Sequence, residues 1–100
     1  MLEVKKFDAA EVIEDAEDVV AFLNAAVEDG GISELPRALG TVARSKGMSD
    51  VAARSGLGRE SLYKALSGSG NPTVDTLARV IEACGLEVHL TFTVCDAVAM

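Results

Sequence analysis

The sequence predicts a mainly α fold of five helices, two of them forming a helix-turn-helix, closed by a C-terminal β-strand over about residues 87–94. Three observations carry this. Between Met48 and Ser67, Ala52 and Gly56 stand four apart, and Leu62 and Leu66 follow six and ten residues past the glycine, the spacing of two short helices crossed at a steep angle. On either side of that run, apolar residues recur at intervals of three and four. After Gly85 the pattern changes to strict alternation, with Leu86, Val88, Leu90, Phe92 and Val94 set against Glu87, His89, Thr91, Thr93 and Cys95, as in a strand with one buried face.

A chain of 100 residues, 49% apolar and without Trp, is read as a single domain, 1–100, large enough for a small core of closely packed helices. No run of eighteen apolar residues and no apolar leader follow Met1, which implies a mature cytoplasmic chain with no membrane role. Cys84 and Cys95 have no His or Cys at ligand spacing and read as reduced thiols, so neither a metal nor another cofactor is expected. The net charge of −7 is unevenly spread. Residues 1–36 hold ten acids against Lys5 and Lys6, whereas residues 37–66 hold six bases against Asp50 and Glu60. The basic block coincides with the helix-turn-helix, so the acidic segment should lie away from any nucleic acid, either offered to a basic partner or simply solvated.

The elements follow in order. Leu2 to Phe7 alternates weakly, enough for a short edge strand. An acidic helix over about 15–29 places Ala16, Val19, Val20, Leu23, Ala26 and Val27 on one stripe, and Gly30-Gly31 stops it. Ser33 is expected to cap the second helix, with Pro36 in its opening turn, an inward stripe of Leu35, Leu39, Val42 and Ala43, and Gly47 as its end. The motif spans about 48–67. Ser49 and Asp50 are expected to cap its first helix, Ala52 to fill the crossing, and Gly56 to supply the left-handed turn residue. Ser67 to Pro72 is a turn-rich loop without the Gly-Lys-Ser/Thr of a nucleotide-binding loop. Asn71 or Thr73 opens the fifth helix, whose stripe is Val74, Leu77, Ala78, Ile81 and Cys84, and Gly85 ends it. A lone strand cannot satisfy its own backbone, so residues 87–94 must pair with the N-terminal segment, with a copy of the chain, or with another protein's sheet.

Two short helices joined at a glycine also occur in domains that never touch DNA. The second helix adds chemistry. Its outward face carries Arg59, Glu60, Tyr63 and Lys64, while Leu62, Ala65 and Leu66 face inward. Arg takes guanine bidentately, Glu accepts from cytosine, and Lys reaches guanine or phosphate. His89 stands alone on the polar face of the predicted strand and reads as solvated or paired across strands. With one His and no nucleophile at recognisable spacing from a base, an enzyme is not expected.

The runs G-M-S-D-V-A-A-R-S-G-L-G-R-E-S-L-Y-K-A-L-S (Gly47 to Ser67) and G-N-P-T-V-D-T-L-A-R-V-I-E-A-C-G-L (Gly70 to Leu86) resemble the phage-repressor-like (Cro/C1, XRE-type) helix-turn-helix proteins. They resemble more closely the HigA-like addiction-module antidote proteins, a similarity that reaches upstream through Asp15 to Gly30 and Ala38 to Gly47. The resemblance implies a five-helix lambda-repressor-like domain that binds double-stranded operator DNA as a homodimer. It also implies a small basic toxin of the RelE/HigB kind as partner. By position, Arg59, Glu60 and Lys64 match the base-reading places of the repressor recognition helix, with Ser61 and Tyr63 nearby, while Ser49 and Ser69 match phosphate-contacting places. The chain departs from phage repressors in a lead-in to the first motif helix about two residues shorter. The reading carried forward is an antitoxin that binds its toxin and represses its own promoter; the alternatives are a stand-alone XRE-type transcriptional regulator, or an interaction module in which the fold persists but DNA binding is lost.

Overall fold

The computed structural model describes residues 15–95, and among these it contains five α-helices and one 3-10 turn. The expected strand at Leu2 to Phe7 lies outside the described residues. Helix α1, Ala16–Gly30, starts where Asp15, in extended conformation, accepts the Asp18 N–H on its carboxylate at 2.9 Å. Glu17 and Asp18 occupy the first turn, at the positive end of the helix dipole. Only Val19 of its stripe is fully buried, and Val20 remains 46% exposed, so α1 touches the rest of the domain along a narrower line than its sequence stripe predicts.

The chain then makes a 3-10 turn, Ile32–Glu34, before α2, Leu35–Lys46. Ser33 lies within that turn and does not cap α2. Its hydroxyl donates back to the Gly30 carbonyl, and the helix opens instead with Pro36 in its first turn, where a missing N–H costs nothing. Gly47, at φ 103°, ends α2 and directly precedes α3, Met48–Ser55. Its N–H donates to the Ala43 carbonyl at 2.8 Å, and its carbonyl accepts the Val51 N–H at 3.0 Å. With Gly47 as the capping residue, Ser49 and Asp50 fall inside the first turn of α3 and make no side-chain cap.

Gly56 provides the left-handed turn, at φ 79° and ψ 9°. Gly58 precedes α4, Arg59–Ala65, and Thr73 caps α5, Val74–Ala83, by accepting the Thr76 N–H at 3.1 Å. Val74, placed on the inward stripe from sequence, is 76% exposed, because the first residue of α5 lies ahead of the turn that meets the core. After α5 the Gly85 N–H bonds the Glu82 carbonyl and the Leu86 N–H bonds that of Ile81, with Gly85 at φ 83°. This paired closure stops the helix and folds Leu86 back against its last turn.

The core gathers Val19 from α1, Leu39, Val42 and Ala43 from α2, Val51 and Ala52 from α3, Leu62 and Leu66 around α4, and Val80, Ile81 and Cys84 from α5. Helix α3 packs on α5 and on α2, while α1 packs mainly against α2 and the 3-10 turn. Gly40, buried in α2, brings its backbone against the end of α4, where a Cβ would stand 3.0 Å from the Leu66 carbonyl oxygen. Among the described residues no helix is long and apolar enough to cross a membrane.

The C-terminal strand is corrected by the structure. No residue of 87–94 belongs to a β-ladder among the described residues, and the segment makes no backbone hydrogen bond there. Alternation states which face a strand would bury, but the folded helices leave no unpaired edge to receive it.

Candidate nucleic-acid interface

The interface is built on a turn held from both sides. Ser55, buried at the end of α3, donates its hydroxyl to the Ala52 carbonyl at 3.2 Å and accepts the Leu57 N–H at 3.3 Å, so one side chain bridges the helix end and the turn. Gly56 reverses the chain between these contacts, and Leu57 packs on the core. The backbone then enters α4 at Gly58, whose carbonyl accepts the Leu62 N–H at 2.9 Å. Leu62 is completely buried, which fixes the rotation of α4 about its own axis.

That rotation decides what the helix shows. Arg59, Glu60, Ser61, Tyr63 and Lys64 are all exposed, so the structure brings these five expected residues onto one short surface. Arg59 and Tyr63, one turn apart, meet each other. The guanidinium lies 5.7 Å from the ring centroid, and its Nη2 donates to the tyrosine hydroxyl at 3.3 Å. An exposed cation over an aromatic ring gains about 0.5–1 kcal/mol, enough to bias Arg59 toward one rotamer without locking it. Glu60 and Lys64 form no ion pair among the described residues, and both keep their reach into solvent.

Ser49 is exposed in the first turn of α3. Ser69 is exposed as well, but its donors are engaged. Ser67 donates its hydroxyl to the Lys64 carbonyl at 3.0 Å and accepts the Ser69 N–H at 3.2 Å. The two hydroxyls are 3.0 Å apart, and with the Ser67 proton already committed, Ser69 is the donor between them. A phosphate contact from Ser69 therefore requires its hydroxyl to rotate away from Ser67.

Arg37 was counted in the basic block but assigned no role from sequence. The Nε–Nη2 edge of its guanidinium meets Gly68, where a Cβ would fall 2.9 Å from Nη2, and Gly68 has φ 89°. A second glycine, Gly70, abuts the Lys64 carbonyl so closely that a Cβ there would overlap it. The loop after α4 is thus pinned at both glycines, a constraint that local sequence spacing does not reveal. Acidic α1 packs mainly against α2 and the 3-10 turn, with Glu17, Asp18, Glu28 and Asp29 exposed. Cys84 is buried beside the core, and that burial pushes its thiol up, against a weaker opposite pull from Lys46. Among the described residues no cluster of His, Cys, Asp or Glu is arranged to hold a metal ion.

Comparison with known proteins places this architecture in a family. A protein of Haemophilus influenzae that carries no functional name is 41% identical over 88 residues, covering 88% of this chain and 91% of the relative. No solved structure matches. A family model described as "Probable addiction module antidote protein" matches residues 3–92, and the chain belongs to that family.

Proposed function

We propose that this chain is the antitoxin of a type II toxin–antitoxin module, of the HigA-like kind, which binds a small basic RelE/HigB-like toxin and represses its own promoter as a sequence-specific dimer. Membership of the antidote family supports the antitoxin role. The observation that carries the DNA-binding part is the face of α4. Arg59, Glu60, Ser61, Tyr63 and Lys64 project outward from a helix whose rotation is set by buried Leu62, and apart from the surface contact of Arg59 with Tyr63 they contribute nothing to the core. The first turn of such a second helix is what enters the major groove in this motif. Arg59 and Lys64 supply bidentate and phosphate-reaching cations, and Glu60 supplies an acceptor for cytosine. A single helix of this length offers few base contacts, so two half-sites about one helical turn apart, read by two copies, would supply the specificity. The exposed acids of α1 suit a basic toxin.

The test is fluorescence anisotropy with the DNA upstream of the protein's own gene, across a salt series. Binding should weaken steeply with salt, and Arg59→Ala should weaken specific binding by about 1–3 kcal/mol, roughly ten- to a hundredfold, with unchanged melting temperature. Salt-insensitive binding, or Arg59→Ala binding as wild type, would refute the assignment. Co-purification with the small basic protein encoded in the neighbouring reading frame tests the toxin arm separately.

A further inference from the structure

The segment after α5 has a surface that the other described residues leave exposed. Beyond Leu86, which is folded onto the end of α5, four apolar side chains alternate along it: Val88 is 47% exposed, Leu90 64%, Phe92 88% and Val94 80%. Its near end, Leu86 to Leu90, lines an apolar groove with Val20, Leu23 and Val27 of α1, Ile32 and Ile81. Val20 and Ile32 on the groove rim are themselves 46% and 62% exposed. An alternating row of this kind, with the backbone of 87–94 unpaired among the described residues, is the pattern of a strand without its neighbour.

We infer that residues 86–94 pair antiparallel with the same residues of a second copy, about a two-fold axis at Leu90, forming a ribbon whose apolar face closes over the groove. The residue pattern favours a copy of this chain over another occupant, because it is complementary to itself. Residues directly opposite in an antiparallel pair lie on the same face, so apolar residues meet apolar ones only when the axis passes through a residue. With Leu90 on the axis, all five apolar positions are matched: Leu86 with the partner's Val94, Val88 with the partner's Phe92, and Leu90 with the partner's Leu90. On the other face Glu87 meets the partner's Thr93 and His89 the partner's Thr91, so no like charges are opposed. A basic toxin, by contrast, would find only one acid, Glu87, between Leu86 and Cys95. Two strands alone are marginal in water, and the groove with Val20 and Ile32 gives their apolar face something to pack on. The same surface used by both protomers is what a closed two-fold dimer requires.

This deepens the dimer reading above and rests on it. The experiment measures mass by light scattering for wild type, Phe92→Asp and Thr91→Pro, and disulfide formation in a Cys95→Ser background for Leu90→Cys and for Thr91→Cys. Wild type should be dimeric at micromolar concentration. Phe92→Asp should raise the dissociation constant at least about a hundredfold, since both copies lose a buried aromatic, with the helical circular dichroism retained. Thr91→Pro should dissociate it too by removing a ladder donor. Leu90→Cys should cross-link to itself on oxidation, because residues on the axis bring their Cα atoms within disulfide range, and Thr91→Cys should not. A dimeric wild type whose Phe92→Asp and Thr91→Pro variants stay dimeric, or whose Leu90→Cys does not cross-link, overturns this inference and leaves the dimer reading standing. A monomeric wild type, alone and on DNA, overturns both, while the effect of Arg59→Ala on DNA binding is read independently of either.

Discussion

Replacing Gly56 with alanine isolates the cost of a single backbone angle. Gly56 sits at φ 79° and ψ 9°, and a Cβ built there meets nothing closer than the Arg79 guanidinium at 3.8 Å, ordinary van der Waals distance. No atom has to move to admit the methyl group. The whole penalty is therefore the left-handed conformation itself, about 1–2 kcal/mol for a residue with a Cβ. In a domain of this size each kcal/mol lowers the melting temperature by about 4–8 °C. Gly58, two residues on, serves as control: it lies at φ −71° and ψ 158°, open to any residue, with nothing within 4 Å of an added Cβ. Gly58→Ala should stay within about 0.5 kcal/mol of the parent, because the gain from a stiffer unfolded chain is offset by a weaker helix start. Gly56→Asn should fall between wild type and Gly56→Ala, since Asn tolerates the left-handed region better than Ala does. Urea titrations followed by circular dichroism give all four stabilities. If Gly56→Ala matches wild type, or Gly56→Asn is the weaker of the two, the turn does not hold the angle assigned to it.

Leu62→Ala should cost about 2–5 kcal/mol in the same titration, because Leu62 is fully buried beneath the exposed face of α4. Asp75→Ala should cost less than about 0.5 kcal/mol, its 3.0 Å pair with Arg79 being an exposed contact one turn apart. Lys64→Ala should weaken binding nearly evenly across DNA sequences and reduce the salt dependence by about one phosphate, in contrast to a sequence-selective loss at Arg59. A thiol reagent near neutral pH should modify exposed Cys95 quickly and buried Cys84 only on unfolding. Burial raises the folded-state pKa of Cys84, so its contribution to stability is complete below the ordinary thiol range and is lost as pH rises from there through the raised folded-state value; Cys84→Ser should flatten that alkaline decline.

Much of this fold was legible because each feature had a local cause. Gly56 announces a left-handed turn, the spacing of Ala52, Leu62 and Leu66 announces the crossing, and the outward set on α4 follows once Leu62 is placed inside. A helix start was read well at Thr73, one of two candidates, where a side chain does the capping, whereas Asp15 was read as part of its helix and not as the cap. Starts were misread at Ser33 and Ser49, where a proline or a glycine sets the start and the serine does not cap. Arg37 against Gly68 and the committed hydroxyl of Ser69 were beyond reach, since both depend on how a loop folds back in three dimensions. The C-terminal alternation was read as a strand whose pairing partner was left open among the N-terminal segment, a copy of the chain and another protein's sheet; no ladder forms among the described residues, because periodicity says nothing about where a partner comes from.

Gly47 closes one helix with its N–H and opens the next with its carbonyl, so α2 and α3 share a joint that contains no spare residue. An insertion or deletion there would change the direction in which α3, and with it α4, leaves α2. Length variation among relatives should therefore be purged at this joint and tolerated elsewhere, so that in an alignment of working homologues the column at Gly47 would mark a fixed ruler from which the recognition helix is measured.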